Sequence, residues 1–457
     1  MSNSKNVSKN RSAGKRSGRL SEDEIKQNFC DMHPPLSASQ AYIEACRCYY
    51  CFDAPCTTAC PSDIDIPEFI KRIQCANIKG SAHKILEQNI MGGMCARVCP
   101  TEELCEAACV RNTHENKPVA IGLLQRYATD EVIEKTVPFF ERGPATDKKV
   151  AVIGAGPAGL SCAHRLASFG HSVTVLDKNE KAGGLNEYGI AAYKALDDIA
   201  QKEIKYILVI GGIEIKSSVQ LGVDFTLDQL RDDFDAVFIG VGLTGVNPFE
   251  IPGEAVNGVI EAVNYICDLR QAERKSELPV GNKVVVIGGG MTAIDIAVQS
   301  KKLGASEVTI AYRRDRANMK ASEHEQHYAQ INDVKLRYCA SPKRILSKDG
   351  QATGVEFDIT DIDPDGKPLK TGKTFQLEAD MVFKAIGQTF LAEQLVDSAG
   401  GLVIEMGRIA VDDERKTSLD NVWAGGDCVV GGEDLTVCAV QDGKLAARSI
   451  HDYLRSA

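Results

Sequence analysis

Three things are scarce in this 457-residue chain, and each absence removes a class of function. No run of about 18 apolar residues occurs, so no segment reads as a membrane-spanning helix. Basic charge is not in surplus. The chain has 63 acidic against 53 basic residues, a net charge of −10, where a nucleic-acid binder would need a basic face. The N-terminus carries no apolar stretch of the kind a secretory signal requires. Met1 to Arg19 instead holds Lys5, Lys9, Arg11, Lys15, Arg16 and Arg19 without one acid. Residues 1–20 therefore read as a disordered, solvated basic tail, with organelle targeting or partner docking as the other readings. A chain that is not secreted keeps its thiols in a reducing compartment, so the expected location is cytoplasmic. Crowded cysteines there are metal ligands or redox groups more often than disulfides.

Cysteines are crowded here. Ten of the sixteen fall between Cys46 and Cys109, whereas thiols used for packing are scattered through a core. The first group is Cys48-x2-Cys51-x4-Cys56-x3-Cys60-Pro, and the second is Cys95-x3-Cys99-Pro-x4-Cys105-x3-Cys109. Loops of two to four residues bring thiolates to one small volume, and a cysteine followed by proline often serves a neighbouring cluster. The spacing points to two iron–sulfur clusters. Structural zinc is the rival, but it favours paired C-x2-C motifs or histidine partners, and neither group contains a histidine. Unliganded thiols are the third reading. Between the groups, Ile66, Phe69, Ile70 and Ile73 recur at helical spacing, so the domain reads as helix and loop. Cys75 within that helix and the isolated Cys30 read as plain thiols. Pro138, Gly143 and Pro144 mark a linker.

From Lys148 onward, strands and helices alternate, and one nucleotide-binding unit occurs twice. The first copy holds Gly154-x-Gly156-x-x-Gly159, with Pro157 and Ala158 inside the motif, between a strand and a helix. These glycines permit a tight turn and let the backbone approach a pyrophosphate at the helix N-terminus. Asp177 ends the next strand, at the distance from which an acid binds ribose hydroxyls. Cys162, on the helix, reads as packing. The second copy is Gly288-x-Gly290-x-x-Ala293, and its following strand ends in Tyr312-Arg313-Arg314 where an NAD site would present an acid. Arginines there suit a 2′-phosphate, and Arg316 and Lys320 extend the positive charge; a solvated basic loop is the alternative. Asp427, after Gly425-Gly426, sits where an aspartate commonly meets a flavin ribityl chain, or else is an ordinary turn residue. Strands with turns at Asp349-Gly350 and Asp365-Gly366 follow the second copy, and a last helix covers 439–453. No C-x2-C or C-x4-C lies beside either nucleotide motif, so a disulfide relay is not the expected exit for electrons.

With these residues assembled, the chain from about Leu20 onward resembles the small subunit of bacterial glutamate synthase. It resembles the electron-input half of dihydropyrimidine dehydrogenase more closely. That family is α/β, with a helical double [4Fe-4S] N-terminal domain followed by two Rossmann-like FAD and NAD(P)H domains of the glutathione-reductase type. The resemblance implies a tail at 1–20, an iron–sulfur domain at 21–143, a flavin domain at 144–250 and 390–457, and an NAD(P)H domain at 251–389. It implies that Cys48, Cys51, Cys56 and Cys109 hold one [4Fe-4S] cluster. Cys60, Cys99 and Cys105 would hold the other with Gln125, a glutamine where glutamate synthase subunits tend to carry an acid. Cys46, Cys75 and Cys95 are left over. The flavin side matches in GAGPAG, at Gly184 and Leu185 of AGGL, and at Asp427. Lys194 keeps the charge of the family's loop arginine, although GIAAYKAL lacks its two prolines. The nicotinamide side matches at Gly289, Gly290, Met291 and Thr292, at Arg313, Arg314 and Lys320, and in Ala385-Ile386-Gly387. NADPH or NADH remains open.

The resemblance implies an oxidoreductase subunit that passes electrons from NAD(P)H through FAD and two [4Fe-4S] clusters to a partner. That partner would be an FMN and iron–sulfur subunit reducing uracil or thymine to 5,6-dihydropyrimidines. No side chain need act as acid, base or nucleophile, so no catalytic residue is expected. The sequence holds no further domain of about 250 residues that could form a second-substrate barrel. Two other readings stand: a glutamate synthase small subunit or kindred reductase, and a non-enzymatic redox sensor or scaffold.

Overall fold

The computed structural model describes residues 14–391 and 401–456. They form two compact units. One comprises Asp31–Ile190, Lys194–Gly245 and Gln388–Ala457; the other comprises Met1–Cys30, Ala191–Tyr193 and Val246–Gly387.

In the first unit the cysteine region is a set of short helices, among them Ala38–Ala45, Ile66–Gln74, Ile78–Leu86, Gly92–Val98 and Ile121–Glu134. Their starts are written in the sequence. Ser37 and Gln40 form a reciprocal capping box, and Asp65 accepts the Glu68 N–H at 3.2 Å. Ile66, Phe69, Ile70 and Ile73 are all buried, as their spacing predicts, each contributing roughly 1.5–3 kcal/mol. Cys75 is the C-cap of this helix and is exposed, as is Cys30.

The same unit contains a five-stranded parallel sheet in the order Val422–Ala424, Ala236–Ile239, Lys149–Ile153, Ser172–Leu176, Ile213–Lys216. Its central strands Lys149–Ile153 and Ala236–Ile239 are nearly continuous apolar runs, as burial on both faces demands, whereas the edge strand Ile213–Lys216 alternates. Helix Pro157–Ser168 packs on the long helix Thr436–Ser456, and Gly443 sits at the crossing, where a Cβ would stand 2.1 Å from the Ala158 carbonyl oxygen. Phe69, Met94 and Leu124 of the helical region share one apolar core with Val152, Leu160 and Ile450. The cysteine region and the flavin-motif sheet are therefore one packed body.

The second unit carries its own parallel sheet, ordered Val259–Glu261, Met381–Ala385, Lys283–Gly288, Glu307–Ala311, Val334–Arg337. Beside it lie the antiparallel strands Ala340–Lys348, Gln351–Ile362 and Pro368–Glu378. Asp349 (φ +50°) and Gly350 (φ +75°) make the first turn, both left-handed as a two-residue hairpin requires. Residues 14–20 differ from the expected solvated tail. Arg16 pairs with Val280 as a β-bridge, Gly18 N–H donates to the Ser276 carbonyl at 2.8 Å, and Arg19 and Leu20 are buried. The guanidinium of Arg19 donates to the Val280 carbonyl at 2.9 Å, so this basic charge serves the fold. Lys5, Lys9 and Arg11 lie outside the described residues.

Candidate functional site

All sixteen cysteines are free thiols. Cys48, Cys51, Cys56 and Cys109 line one cavity with Pro55, Ile66, Ile70, Val119, Ile121 and Arg111. Ala54, with φ +40°, turns the chain between Cys51 and Cys56, and Cys109 is the N-cap of helix Val110–Glu115. Burial pushes the Cys48 thiol up and the Cys56 thiol to about 12. Arg111 stands 4.0 Å over the Tyr49 ring and bonds Glu115 and the Arg47 carbonyl.

Cys60, Cys99 and Cys105 form a second neighbourhood. Hydrogen bonding to Cys95 and then burial push Cys99 well above the ordinary thiol range, with Cys105 and Cys60 nearby. Burial does the same to Cys105, followed by Glu106. Such thiols are protonated when unliganded, so metal must displace their protons to bind. Thiols spread around a cavity suit a cubane, where each binds a separate iron.

Gln125 is buried on helix Ile121–Glu134. Its amide nitrogen donates to the Gly92 carbonyl at 2.7 Å, which leaves the carboxamide oxygen as the atom free to meet a metal. Gly122, three residues earlier, places its N–H 3.0 Å from Glu106 Oε1 and packs against Thr101 and the Ala96 carbonyl. Gln125 thus lies on the helix that packs between the second group's loop and helix Gly92–Val98. Sequence reasoning missed three supports of this region. Glu203 caps that helix, accepting the Gly93 and Met94 N–H groups at 2.8 and 3.1 Å. Arg126 ties Asp31, His33 and Asp130 together. Lys444 donates to the carbonyls of Ser62 and Gln88.

The flavin motif forms a cradle inside the first unit. Gly154 (φ +101°) passes so close to Gly240 that a Cβ would lie 2.4 Å from its carbonyl oxygen; on Gly159 it would lie 1.9 Å from that of Gly154. Gly156 caps the helix Pro157–Ser168, and Gly184 faces it, with its own Cβ position 2.8 Å from the Gly156 Cα. Asp177 is buried, and its carboxylate accepts the Ala155 N–H at 2.6 Å and the Asn179 N–H at 2.8 Å. It clamps the glycine loop from the next strand. Asp427 lies beside Gly242, and burial, then Asp434, raises it to about 6 against the pull of Arg408. Ala158 and Lys194 are buried, while Leu185 is exposed. The backbone leaves room for a ligand where Gly156 has no close neighbour but Gly184.

In the second unit, Gly288 (φ +151°) meets Ala385, and Gly289 meets the Tyr312 ring. Gly290, the N-cap of helix Met291–Lys302, has nothing within 4 Å of its Cβ position. Thr292 is half-buried and Ala293 buried in this first turn. Arg313 and Lys320 are exposed and Arg314 is half-buried; none forms an ion pair with a described residue, and Arg314 Nε lacks a hydrogen-bond partner. Arg316 lies near Glu323 at 3.6 Å. Gly387 (φ +99°) follows Ile386, whose carbonyl accepts Asn247 Nδ2–H at 3.3 Å.

Two glycine cradles, each closing a parallel strand into a helix, are the shared architecture of residues 148–443, and these residues match the pyridine nucleotide-disulphide oxidoreductase model. The chain belongs to that family. Residues 25–137 match the dihydropyrimidine dehydrogenase domain II, 4Fe-4S cluster model. The glutamate synthase [NADPH] small chain of Escherichia coli is 35% identical over 94% of this chain and 94% of its own length. The NAD-dependent dihydropyrimidine dehydrogenase subunit PreT of Salmonella typhimurium is 33% identical over 94% and 99%. In fold, the chain is similar to the thioredoxin reductase of T. acidophilum (TM-score 0.54, 23% identity, 67% of this chain and 99% of that one). It is likewise similar to Mycobacterium tuberculosis FprA (TM-score 0.57, 17% identity, 69% and 86%). The chain is accordingly an FAD- and NAD(P)-dependent oxidoreductase with a 4Fe-4S domain. Among the described residues no helix is long and apolar enough to cross a membrane.

Proposed function

We propose that this chain is the electron-input subunit of a two-part enzyme. It takes electrons from NAD(P)H and delivers them to an FMN and iron–sulfur partner that reduces uracil or thymine to the 5,6-dihydro form. When bound, these groups would supply the redox chemistry: hydride from the nicotinamide, two-electron capacity in FAD and one-electron capacity in two [4Fe-4S] clusters. The chain's own residues bind, orient and insulate. Cys48, Cys51, Cys56 and Cys109 would hold one cluster from the walls of their cavity. Cys60, Cys99, Cys105 and Gln125 would hold the other. Gly156 and Gly184 leave backbone access for a flavin pyrophosphate at the start of a 12-residue helix, and Asp427 offers a half-buried carboxyl. Gly290 does the same for the nicotinamide cofactor.

The observation that carries the substrate reading is Gln125, buried with its nitrogen fixed by Gly92 and its oxygen left over, on the helix beside the second cysteine group. Identity does not separate the relatives, at 35% and 33%. The unpaired Arg313 and Arg314 favour a 2′-phosphate and so NADPH. That cofactor stands in the name of the glutamate synthase relative, whereas the PreT relative is named NAD-dependent. A glutamate-forming partner is therefore the second reading.

The test is NAD(P)H oxidation by the chain purified with its partner. Uracil or thymine should support turnover, and the chain alone should reduce only dyes. Turnover with glutamine and 2-oxoglutarate, and none with pyrimidines, sinks the first reading. Gln125→Ala should alter the EPR of one cluster and leave flavin content intact; unchanged iron content and EPR remove Gln125 from the ligand set.

A further inference from the structure

Lys444 is buried in the helix Thr436–Ser456, and its ammonium makes three hydrogen bonds. They go to the Ser62 carbonyl at 2.9 Å, the Gln88 carbonyl at 3.1 Å and Gln88 Oε1 at 3.0 Å. All three acceptors are neutral, and Lys444 forms no ion pair with a described carboxylate. The charged groups around it are Arg165, half-buried, and Arg448 and Asp63, both exposed. Two of these three repel it. A buried cation without a counter-ion is costly, and a chain retains one where an anion answers it. Burial lowers its pKa to about 8, so at neutral pH the ammonium keeps its proton.

Ser62, the residue it grips, lies two positions after Cys60, and Ser62 Oγ stands 3.5 Å from Cys60 Sγ. Cys60 is also among the groups whose negative charge would favour the Lys444 ammonium, which ties this lysine to the second cysteine neighbourhood. Thiolate ligands make such a cluster net negative, and reduction adds one further negative charge. Net charge, hydrogen bonding and exposure are the levers by which a protein sets a cluster's potential.

We propose that Lys444 is the counter-charge of the cluster held by Cys60, Cys99, Cys105 and Gln125, and that it raises that cluster's reduction potential so that it accepts electrons from the flavin side. The proposal rests on the two-cluster reading above. Lys444 acts through the field at the cluster and through its grip on the Ser62 loop, without touching iron. Arg111, by contrast, faces the Cys48 cavity with its charge already matched by Glu115.

The test is an anaerobic redox titration, read by EPR, of the full chain loaded with flavin and iron–sulfur clusters. Lys444→Met should keep its iron, sulfide and FAD. One of the two cluster signals should move to lower potential by tenfold or more in the oxidised-to-reduced ratio, about 59 mV for one electron. The other signal should stay in place. Lys444→Arg, which keeps the charge, should titrate like the parent, and Lys444→Gln like Lys444→Met. If Lys444→Met does not load, the Arg and Gln variants decide. Identical midpoints in charged and uncharged variants that carry both clusters overturn the counter-charge and leave the two-cluster reading standing. A parent protein that binds FAD but shows no reducible cubane overturns both.

Discussion

Around their candidate sites the two compact units hold charge differently, although the second also buries Arg19 for its fold. In the unit that combines the cysteines with the flavin motif, Glu203, Arg126, Asp177 and Lys444 are buried and satisfied by backbone or side-chain partners. In the nicotinamide unit, Arg313, Arg314 and Lys320 are held at or near the surface without acidic partners among the described residues. Both units use the same glycine turn into a helix, yet Gly290 opens on empty space while Gly156 is faced by Gly184. The difference separates a place for resident groups from a place for a visiting one. Clusters and flavin stay, so their surroundings are fixed from several directions. On the proposed reading a nicotinamide cofactor would enter and leave each cycle, and cations that met it would wait at the surface.

That contrast can be broken by substitution. The largest effect should come from Cys99→Ser, which removes a ligand from the resident side. Iron and sulfide should fall by about half, with FAD retained, and full metal content would remove Cys99 from the site. Next, replacing Arg313 and Arg314 together by Ala should raise KM for NADPH roughly tenfold to hundredfold, as expected for lost charge-assisted hydrogen bonds of about 1.5–3 kcal/mol. NADH should change far less, and Tm not at all; equal effects on both cofactors would contradict a 2′-phosphate contact.

Gly290→Ala should raise KM for both cofactors several-fold without loss of stability, because a Cβ there meets no protein atom. Gly288→Ala is the control. Its Cβ would lie 2.1 Å from the Ala385 carbonyl oxygen, at a φ of +151°, so it should destabilise the unit itself. A normal KM in Gly290→Ala places the cofactor elsewhere. The smallest effect concerns Glu203, raised to about 8 by burial against its two N–H donors. A carboxyl with a raised folded-state pKa binds more protons folded than unfolded. Its share of stability is full below its ordinary value of 4.5 and is lost as pH rises through about 8. Glu203→Gln should flatten the Tm–pH profile between pH 5 and 8 by a few degrees, and an unaltered slope would show that Glu203 does not titrate there.

Features local in the chain were legible. The glycine turns, the Ile66–Ile73 stripe and the Asp349-Gly350 turn each need only neighbouring residues, and the structure follows them. Features that depend on distant partners were not. Arg19 looked like part of a solvated tail, because Val280 lies 261 residues away. Lys444 and Glu203 did leave a trace: each interrupts an apolar register, Lys444 among Val437, Val440, Ala447 and Ile450, and Glu203 among Ile199, Ala200, Ile204 and Ile207. A charge on the buried stripe of a helix is a signal that composition and motif spacing do not weigh. Asp177 shows the converse: its position was readable, but its use as a clamp on the Ala155 N–H was not.

The grip of Lys444 on Ser62 joins residues 382 positions apart, and this has a bearing on biosynthesis. At ribosomal rates of about 5–20 residues per second, roughly 20–75 s separate the emergence of the second cysteine group's first member from that of its buried lysine. Over that interval the nascent helices lack the sheet and helix that complete their core, and their thiols stand open to oxidants and to iron donors alike. On the two-cluster reading, cluster insertion during synthesis would compete with oxidative loss in a window whose length is set by the translation of the flavin and nicotinamide segments. Slowing elongation within residues 148–443 should lower the cluster content of the finished protein without altering its sequence.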